Sequence, residues 1–271
     1  KLNKYPGSKT HPELTIQVTS RDQITGRVLK LAPAMLYVPI HILAEDLEFT
    51  LRLTQKVPVC AVAPRIVHDG EIERLKNALL AVREYGVQDV LIGNLALLVV
   101  AKECRMNVRG DFGLNLYNSG AMEVARALGM RSACLSFEMT LPQIRDISKA
   151  VPSEILVYGR MPLMLTENCL IRGKTGQCTC HLAPAKLTDK TGAEFPIIRD
   201  GNTCRSVLLN GKKLNLLDRQ GDLSRLGLWA TRLYFTTENA REVDRVLASV
   251  LNPVPFDPGA STRGLYLRGV E

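Results

Sequence analysis

The sequence predicts an α/β fold of the (β/α)8 TIM-type barrel class, with a small β-rich, cysteine-bearing insertion between strands seven and eight. Three observations carry that expectation. Short aliphatic and β-branched runs alternate with amphipathic stretches eight times along the chain. Their starts recur about every 20 to 30 residues until the seventh, and the eighth arrives roughly 70 residues later, an arithmetic that suits eight closed strand–helix units. The long gap before the last unit is punctuated by turn signals and holds four of the seven cysteines. An open doubly wound sheet is the competing architecture, and the unit count favours closure.

The first strand is read at "LTIQVT" (14–19), and a helix over 20–32 opens at Ser20, whose hydroxyl can accept from the free N–H groups of a first turn. "MLYVPIHI" (35–42) is the second strand, followed by a helix over 44–55. "PVCAVAPRIV" (58–67) precedes a strongly periodic helix that Gly86 stops. Strands four to seven are read at 89–94, 107–115, 132–138 and 154–165, with helices over 95–106, 119–130 and 140–151 between them. The eighth strand, 228–238, feeds a helix over 239–251. Within the insertion, turns at Lys190-Thr191-Gly192, Asp200-Gly201-Asn202 and Asn210-Gly211 separate short β-like runs. The boundaries follow: a tail at 1–13, barrel units one to seven at 14–166, the cysteine insertion at 167–218, unit eight at 219–252 and a tail at 253–271.

With 46% hydrophobic and 23% charged residues the chain has the makings of a globular core. Its longest apolar stretch, "DVLIGNLALLVVA", is broken by Asn94 and falls short of a membrane span. The polar start "KLNKYPGSKTHPE" has no apolar core of a signal peptide, so a cytoplasmic location with no membrane partner is expected. It also lacks an initiator Met, which suits a piece of a longer chain. A net charge of +8 suits a polyanionic partner such as RNA, or simply a solvated basic surface.

In that setting disulfides are not expected, so clustered cysteines point to metal or redox chemistry. Cys60, Cys104 and Cys134 sit in apolar runs and read as small core residues. Cys169, Cys178, Cys180 and Cys204 offer four thiolates at the C-terminal rim, where barrel enzymes place chemistry. Such a set can hold an iron–sulfur cluster or a structural zinc. Zinc sites usually show two Cys-x2-4-Cys knuckles, and here there is one Cys-x-Cys with two isolated thiols, so iron–sulfur is preferred over zinc, with a metal-free module as the third reading. "GKT" at 173–175 is no phosphate loop, because Asn168 stands where that motif needs glycine.

Strand ends of a barrel converge on one pocket, so their polar residues are weighed together. Arg65, Arg160 and Arg232 could each clamp a carboxylate or phosphate, with Asn115 and Tyr158 beside them as further substrate-binding candidates. An interior Arg160–Glu138 pair would instead fill the space without a ligand. Glu138 and Glu238 are candidate acid–base groups, and His41 a candidate base. No G-x-S-x-G elbow or H-E-x-x-H pair accompanies the histidines, so the residues themselves give proteolysis little support.

The stretches "EILVYGRMPLMLTENC", "FGLNLYNSGAMEVARALGMRSACLSFEMTLPQIRDI" and the closing "STRGLYLRGVE" resemble the collagenase-like peptidases of family U32. Glu154, Gly159, Met161 and Cys169 match that family's signature, whereas Leu156, Arg160, Pro162 and Glu167 depart from it. The resemblance is greatest to the second, C-terminal barrel of longer members, which implies a preceding barrel as partner. It further implies an oxygen-independent hydroxylation factor acting on an RNA pyrimidine (rRNA or tRNA) or a quinone precursor, a 4Fe–4S cluster on four cysteines, and a prephenate-like carboxylate as hydroxyl source. One family thiol is replaced by Pro162, so Cys178 or Cys180 would have to complete the set. A peptidase, and a non-catalytic docking barrel, are the alternatives.

Overall fold

The computed structural model describes residues 3–177, 185–201, 203–251, 257 and 259–268. Seven strands come first: β1 (Glu13–Gln17), β2 (Met35–Pro39), β3 (Val59–Val62), β4 (Asp89–Ile92), β5 (Asn107–Gly110), β6 (Ser132–Cys134) and β7 (Ser153–Gly159). The insertion contributes β8 (Pro162–Thr166), β9 (Ala185–Thr188), β10 (Glu194–Arg199), β11 (Ser206–Leu209) and β12 (Lys213–Asn215). Then come β13 (Ala230–Tyr234) and a short β14 (Ser261–Thr262). Strands β1 to β7 pair in chain order, all parallel, and β13 lies parallel to both β1 and β7, so the sheet closes as an eight-stranded barrel.

The connecting helices are α1 (Gly26–Leu31), α2 (Ile40–Glu45), α3 (Leu47–Thr54), α4 (Asp69–Glu84), α5 (Leu97–Glu103), α6 (Ser119–Ala127) and α7 (Leu141–Asp146), then α8 (Leu170–Thr175), α9 (Gln220–Leu223) and α10 (Ala240–Leu251). Their inner faces bury a continuous aliphatic shell against the outside of the barrel; in α4 it is Leu75, Leu79 and Val82, spaced to fall on one stripe. Thr25 caps α1, its Oγ1 accepting from the Val28 N–H at 3.2 Å, so the helix read from Ser20 begins five residues later. Thr140 caps α7 as its position suggests. Cys60 and Cys134 are fully buried and Cys104 nearly so, as small core side chains.

Several strands read from sequence are cut short, those at 58–67, 107–115 and 132–138 to 59–62, 107–110 and 132–134, and for those at 35–42 and 154–165 the tertiary reason is plain. The run 35–42 stops at Pro39, and α2 begins at Ile40, which moves His41 from a strand end into the first turn of a helix. The run 154–165 breaks at Gly159, where φ is +124° and a Cβ would stand 2.0 Å from the Tyr234 carbonyl oxygen. Only glycine can pass that point, and the chain there leaves the barrel for a second sheet. That sheet is antiparallel in the order β8-β11-β10-β9, while β12 returns to the barrel and pairs antiparallel with β7.

The barrel interior holds a layer of charge. Arg232 is fully buried, donating to Asp111 Oδ1 at 2.6 Å, to Gln17 Oε1 at 2.9 Å and to both oxygens of Glu154. Tyr37 and Thr15 hydroxyls donate to the same Glu154 carboxylate at 2.7 and 2.9 Å. Burial would push Glu154 up, but the charge and hydrogen bonds of Arg232, with those two hydroxyls, hold it below the ordinary carboxylate range. Such a network is costly to leave half-made, so its members are fixed as a unit.

Candidate functional site: the crevice between barrel mouth and inserted sheet

One layer above Arg232, toward the C-terminal ends of the strands, the interior becomes aromatic. Tyr234 and Phe112 lie 6.1 Å apart between ring centroids, Phe112 and Phe137 5.6 Å, and the Arg65 guanidinium sits 5.5 Å above the Phe112 ring. Arg65 comes from the irregular stretch between β3 and α4. Gly93 and Gly113 make room for it: a Cβ on either would approach Arg65 side-chain atoms to 3.2 Å. The inserted sheet roofs this floor and leaves crevices on both sides.

On one side a cleft of about 260 Å³ is lined by Arg65, Asn115, Ser136 and Glu138, with Pro162 to Leu165 of β8 as the opposite wall. A neighbouring trough of about 540 Å³ shares Arg65 and reaches Asn94 and Leu95. On the other side a crevice of about 770 Å³ runs between Thr19, His41 and Thr236 on the barrel and β10 of the insertion. A fourth, more apolar space of about 220 Å³ lies between α2, α4 and the β10–β11 turn, again touching His41.

The structure brings Arg65, Asn115 and Glu138 together in one cleft and draws the other predicted residues elsewhere. Asn115 holds a left-handed backbone (φ +49°), which asparagine tolerates and which turns it into the cleft wall. Glu138 is exposed at the cleft, its own N–H bonded to Ser136 Oγ at 3.3 Å. His41 is half-buried, and burial lowers its pKa below the ordinary histidine value against the opposing pull of Glu45. Arg232, expected as a substrate clamp, lies beneath the floor with its donors taken up by the interior network. Arg160 does not pair with Glu138; its Nη1 donates to the Asn210 carbonyl at 3.0 Å and to that of Gly211, tying the insertion's return strand to the barrel. Glu238 is buried and committed, pairing with Lys213 at 2.9 Å and accepting from the Thr236 and Thr237 N–H groups at 2.8 and 3.1 Å. Tyr158 donates to the same carboxylate at 3.3 Å, and burial with the charge of Glu238 pushes its phenol well up.

Sequence reading missed two members of the mouth. Tyr234 was hidden inside the eighth strand, where its inward direction depends on the register of β13 against β1 and β7. Asp200 read as a turn residue. It is that, but its carboxyl is buried toward the mouth, and Oδ2 has no hydrogen-bond partner. Burial raises its pKa above the usual carboxylate range, against the pull of Arg205 and Arg65.

The insertion is pinned by Arg205, whose side chain is nearly buried. It donates to Glu167 at 2.7 Å, to Glu71 of α4 at 2.7 Å and to the Ile66 carbonyl at 3.1 Å; His68 also meets Glu167, at 3.0 Å. Cys169 and Cys204 flank this pin. The antiparallel register Thr166↔Ser206 places both thiols at the same end of the β8–β11 ladder, and Cys169 caps α8 by accepting from the Arg172 N–H at 3.4 Å. Cys178 and Cys180 lie outside the described residues. Among the described residues no cluster of three metal-binding side chains forms. Cys169 and Cys204 put two soft sulfur donors at one ladder end, half of the donor set that an iron–sulfur cluster or a structural zinc takes.

The family model described as peptidase family U32 matches residues 40–250, from α2 through the insertion to α10. The chain belongs to peptidase family U32. Among solved structures, the U32 peptidase Mk0906 is similar at a TM-score of 0.43 and 12% identity, covering 59% of this chain and 74% of that one. A thiamine phosphate pyrophosphorylase from Pyrococcus furiosus gives a TM-score of 0.45 at 10% identity, over 90% of this chain and 99% of its own. A mandelate racemase/muconate lactonizing enzyme from Bordetella bronchiseptica RB50 gives 0.45 at 11% identity, over 90% and 59%. No curated protein matches. In this U32 chain, the position where the resemblance places a thiol, Pro162, forms part of the cleft wall facing Arg65 and Glu138. No described helix is long and apolar enough to cross a membrane.

Proposed function

We propose that this U32 domain is an iron–sulfur-dependent, oxygen-independent hydroxylation domain acting on an RNA pyrimidine, with a small carboxylate as hydroxyl source. The observation that carries the reading is the Arg65 guanidinium, which has no hydrogen-bond acceptor or ion-pair partner among the described residues and stands at the barrel mouth under a cysteine-bearing roof. An unpaired guanidinium in a cleft is suited to an anionic ligand. Arg65 and Asn115 bind the anionic group, and Glu138 moves a proton at the target carbon. Cys169, Cys178, Cys180 and Cys204 would hold the cluster, which when bound supplies one-electron chemistry; zinc is the runner-up occupant. The net charge of +8 favours a polyanionic substrate.

The peptidase alternative needs a nucleophile beside a base. Among the described residues no serine, threonine or cysteine side chain is seen hydrogen-bonding a histidine, and His68 meets the exposed carboxylate of Glu167 instead.

The test is purification under nitrogen with iron and sulfide analysis and an ultraviolet–visible spectrum, beside nucleoside mass spectrometry of RNA from cells carrying wild-type or Glu138→Gln protein. Iron and sulfide bound by wild type and lost on Cys169→Ser, with a hydroxylated pyrimidine lost on Glu138→Gln, is the expected result. Metal-free protein and unchanged RNA would end the reading.

A further inference from the structure

Between α2, α4 and the β10–β11 turn lies an apolar space of about 220 Å³ for which hydroxylation at the mouth has no use. Its floor is aliphatic: Ile40 and Ala44 of α2, Ile66 from the loop after β3, and Leu75 and Ala78 of α4. Both helices present alanine to it, and a larger side chain at either position would fill it. Native proteins hold few voids larger than a water molecule, and an apolar cavity of about 150 Å³ already takes up benzene. This one has room for a six-membered ring with a short substituent.

The rim carries charge but leaves no net charge to balance. Arg205 donates to Glu71 at 2.7 Å, and the Thr203 hydroxyl donates to the Asp200 carbonyl at 2.7 Å. Exposed Glu45 and Arg74 add one charge of each sign. Half-buried among these groups, the His41 ring is seen in no hydrogen bond with a described residue. Gly201 of the turn lies against it, where a Cβ would stand 3.3 Å from Nδ1. Burial, with the charge of Arg199, lowers the His41 pKa against the opposing pull of Glu45. The ring is therefore neutral near pH 7 and offers one N–H and one lone pair.

We infer that this cavity is a second ligand site, apart from the mouth, for a neutral, ring-sized hydrophobic molecule whose single hydroxyl or amide end meets His41. A charged ligand would give up its hydration and find no unbalanced countercharge, so neutrality is part of the specificity. Gly201, Thr203 and Arg205 belong to the insertion, and α2 and α4 to the barrel. A ligand seated between them binds the moored arrangement and not an opened one, so its occupancy holds the insertion down. His41, Glu45 and Gly201 also line the 770 Å³ crevice, so whatever fixes them here fixes a wall of that crevice too. Binding requires neither cluster nor RNA, and it stands or fails independently of the hydroxylation reading.

The experiment is a titration of the 271-residue chain with benzyl alcohol, toluene and benzoate, followed by ligand-observed nuclear magnetic resonance. Saturable benzyl alcohol binding is expected, with a Kd of about 1 mM or tighter for a ligand of this size. Toluene, which lacks the hydroxyl, should bind about three- to tenfold more weakly, the range of one hydrogen bond, and benzoate should also bind more weakly than the alcohol. His41→Leu should bring the alcohol down to the affinity of toluene and leave toluene unchanged. Ala44→Leu and Ala78→Leu should each abolish binding of both without lowering the melting temperature, since each fills space already present. Saturating benzyl alcohol should slow limited proteolysis within the insertion in wild type and not in Ala78→Leu. No saturable binding, binding that persists in both leucine variants, benzoate binding as tight as the alcohol, or toluene equal to the alcohol in wild type would overturn the site. Binding that leaves proteolysis unchanged would overturn its hold on the insertion.

Discussion

Two arginines of the barrel, Arg232 in its interior and Arg65 at its mouth, illustrate how differently the same side chain can be used. Arg232 is fully buried and meets Asp111, Glu154 and Gln17; Arg65, above it, meets a ring face and open space. Replacing Arg232 by methionine should strand two buried carboxylates and cost about 3 to 5 kcal/mol in chemical denaturation. Arg65→Gln should change stability by less than about 0.5 kcal/mol while abolishing activity, because no protein acceptor loses a partner. The reverse pattern in melts and assays would exchange the two roles. The Glu154 carboxyl also sets an acid limit. Its folded pKa lies below the unfolded one, so its contribution is fully present above the ordinary carboxylate range and is lost as pH falls through the depressed folded value. Glu154→Gln should flatten that acid-side fall in a melting-temperature profile taken downward from neutral pH. None of this pairing was legible in sequence, since Arg232 stands 78 positions from Glu154 and 121 from Asp111. The arginines could be nominated from their strand ends, but which of them a ligand can reach is decided by barrel depth.

Periodicity gave the eight strand–helix units, because each buries an aliphatic stripe against the next whatever the rest of the chain does. It could not give the breaks, which answer to neighbours distant in sequence. Pro39 hands β2 directly to α2, and Gly159 turns away because the Tyr234 carbonyl blocks any side chain there. Gly159→Ala should cost at least about 2 kcal/mol, from a left-handed φ combined with backbone collision, and thermal unfolding would register it. The turns within the insertion were legible from their Gly-bearing dipeptides. How the insertion is moored was not: Arg205 bridges Glu167 and Glu71, 38 and 134 positions away. Arg205→Ala should let the inserted sheet open while the barrel stays closed. Limited proteolysis should then cut within 163–212 faster than in wild type, with the barrel fragments resisting as before. Uniform sensitivity along the chain would show that the mooring holds the whole fold instead of one element.

At the scale of the whole molecule the open question is whether excess positive charge is a binding surface or only solvation. The same sequence supports both, because +8 over 271 residues comes with no long basic run and no interleaved aromatics. The closed barrel sharpens the choice. Many of its cations are spent locally, as in Arg109 with Asp89, Lys76 with Glu73 and Glu103, and Arg263 with Asp218. Others, such as Arg74 and Arg27, meet no acidic partner among the described residues and remain available to phosphates. If the domain engages RNA through them, the logarithm of its affinity for a single-stranded RNA should fall linearly with the logarithm of salt concentration, losing about 0.7 per phosphate neutralised. A slope of about −2 or steeper in a fluorescence titration would establish a real electrostatic footprint. Charge reversal at Arg74 should then lower that slope by close to one contact without altering the melting temperature, since the side chain holds nothing of the fold together. A flat dependence would mean that the basic balance serves solvation, and that any RNA contact is made by another part of the assembly.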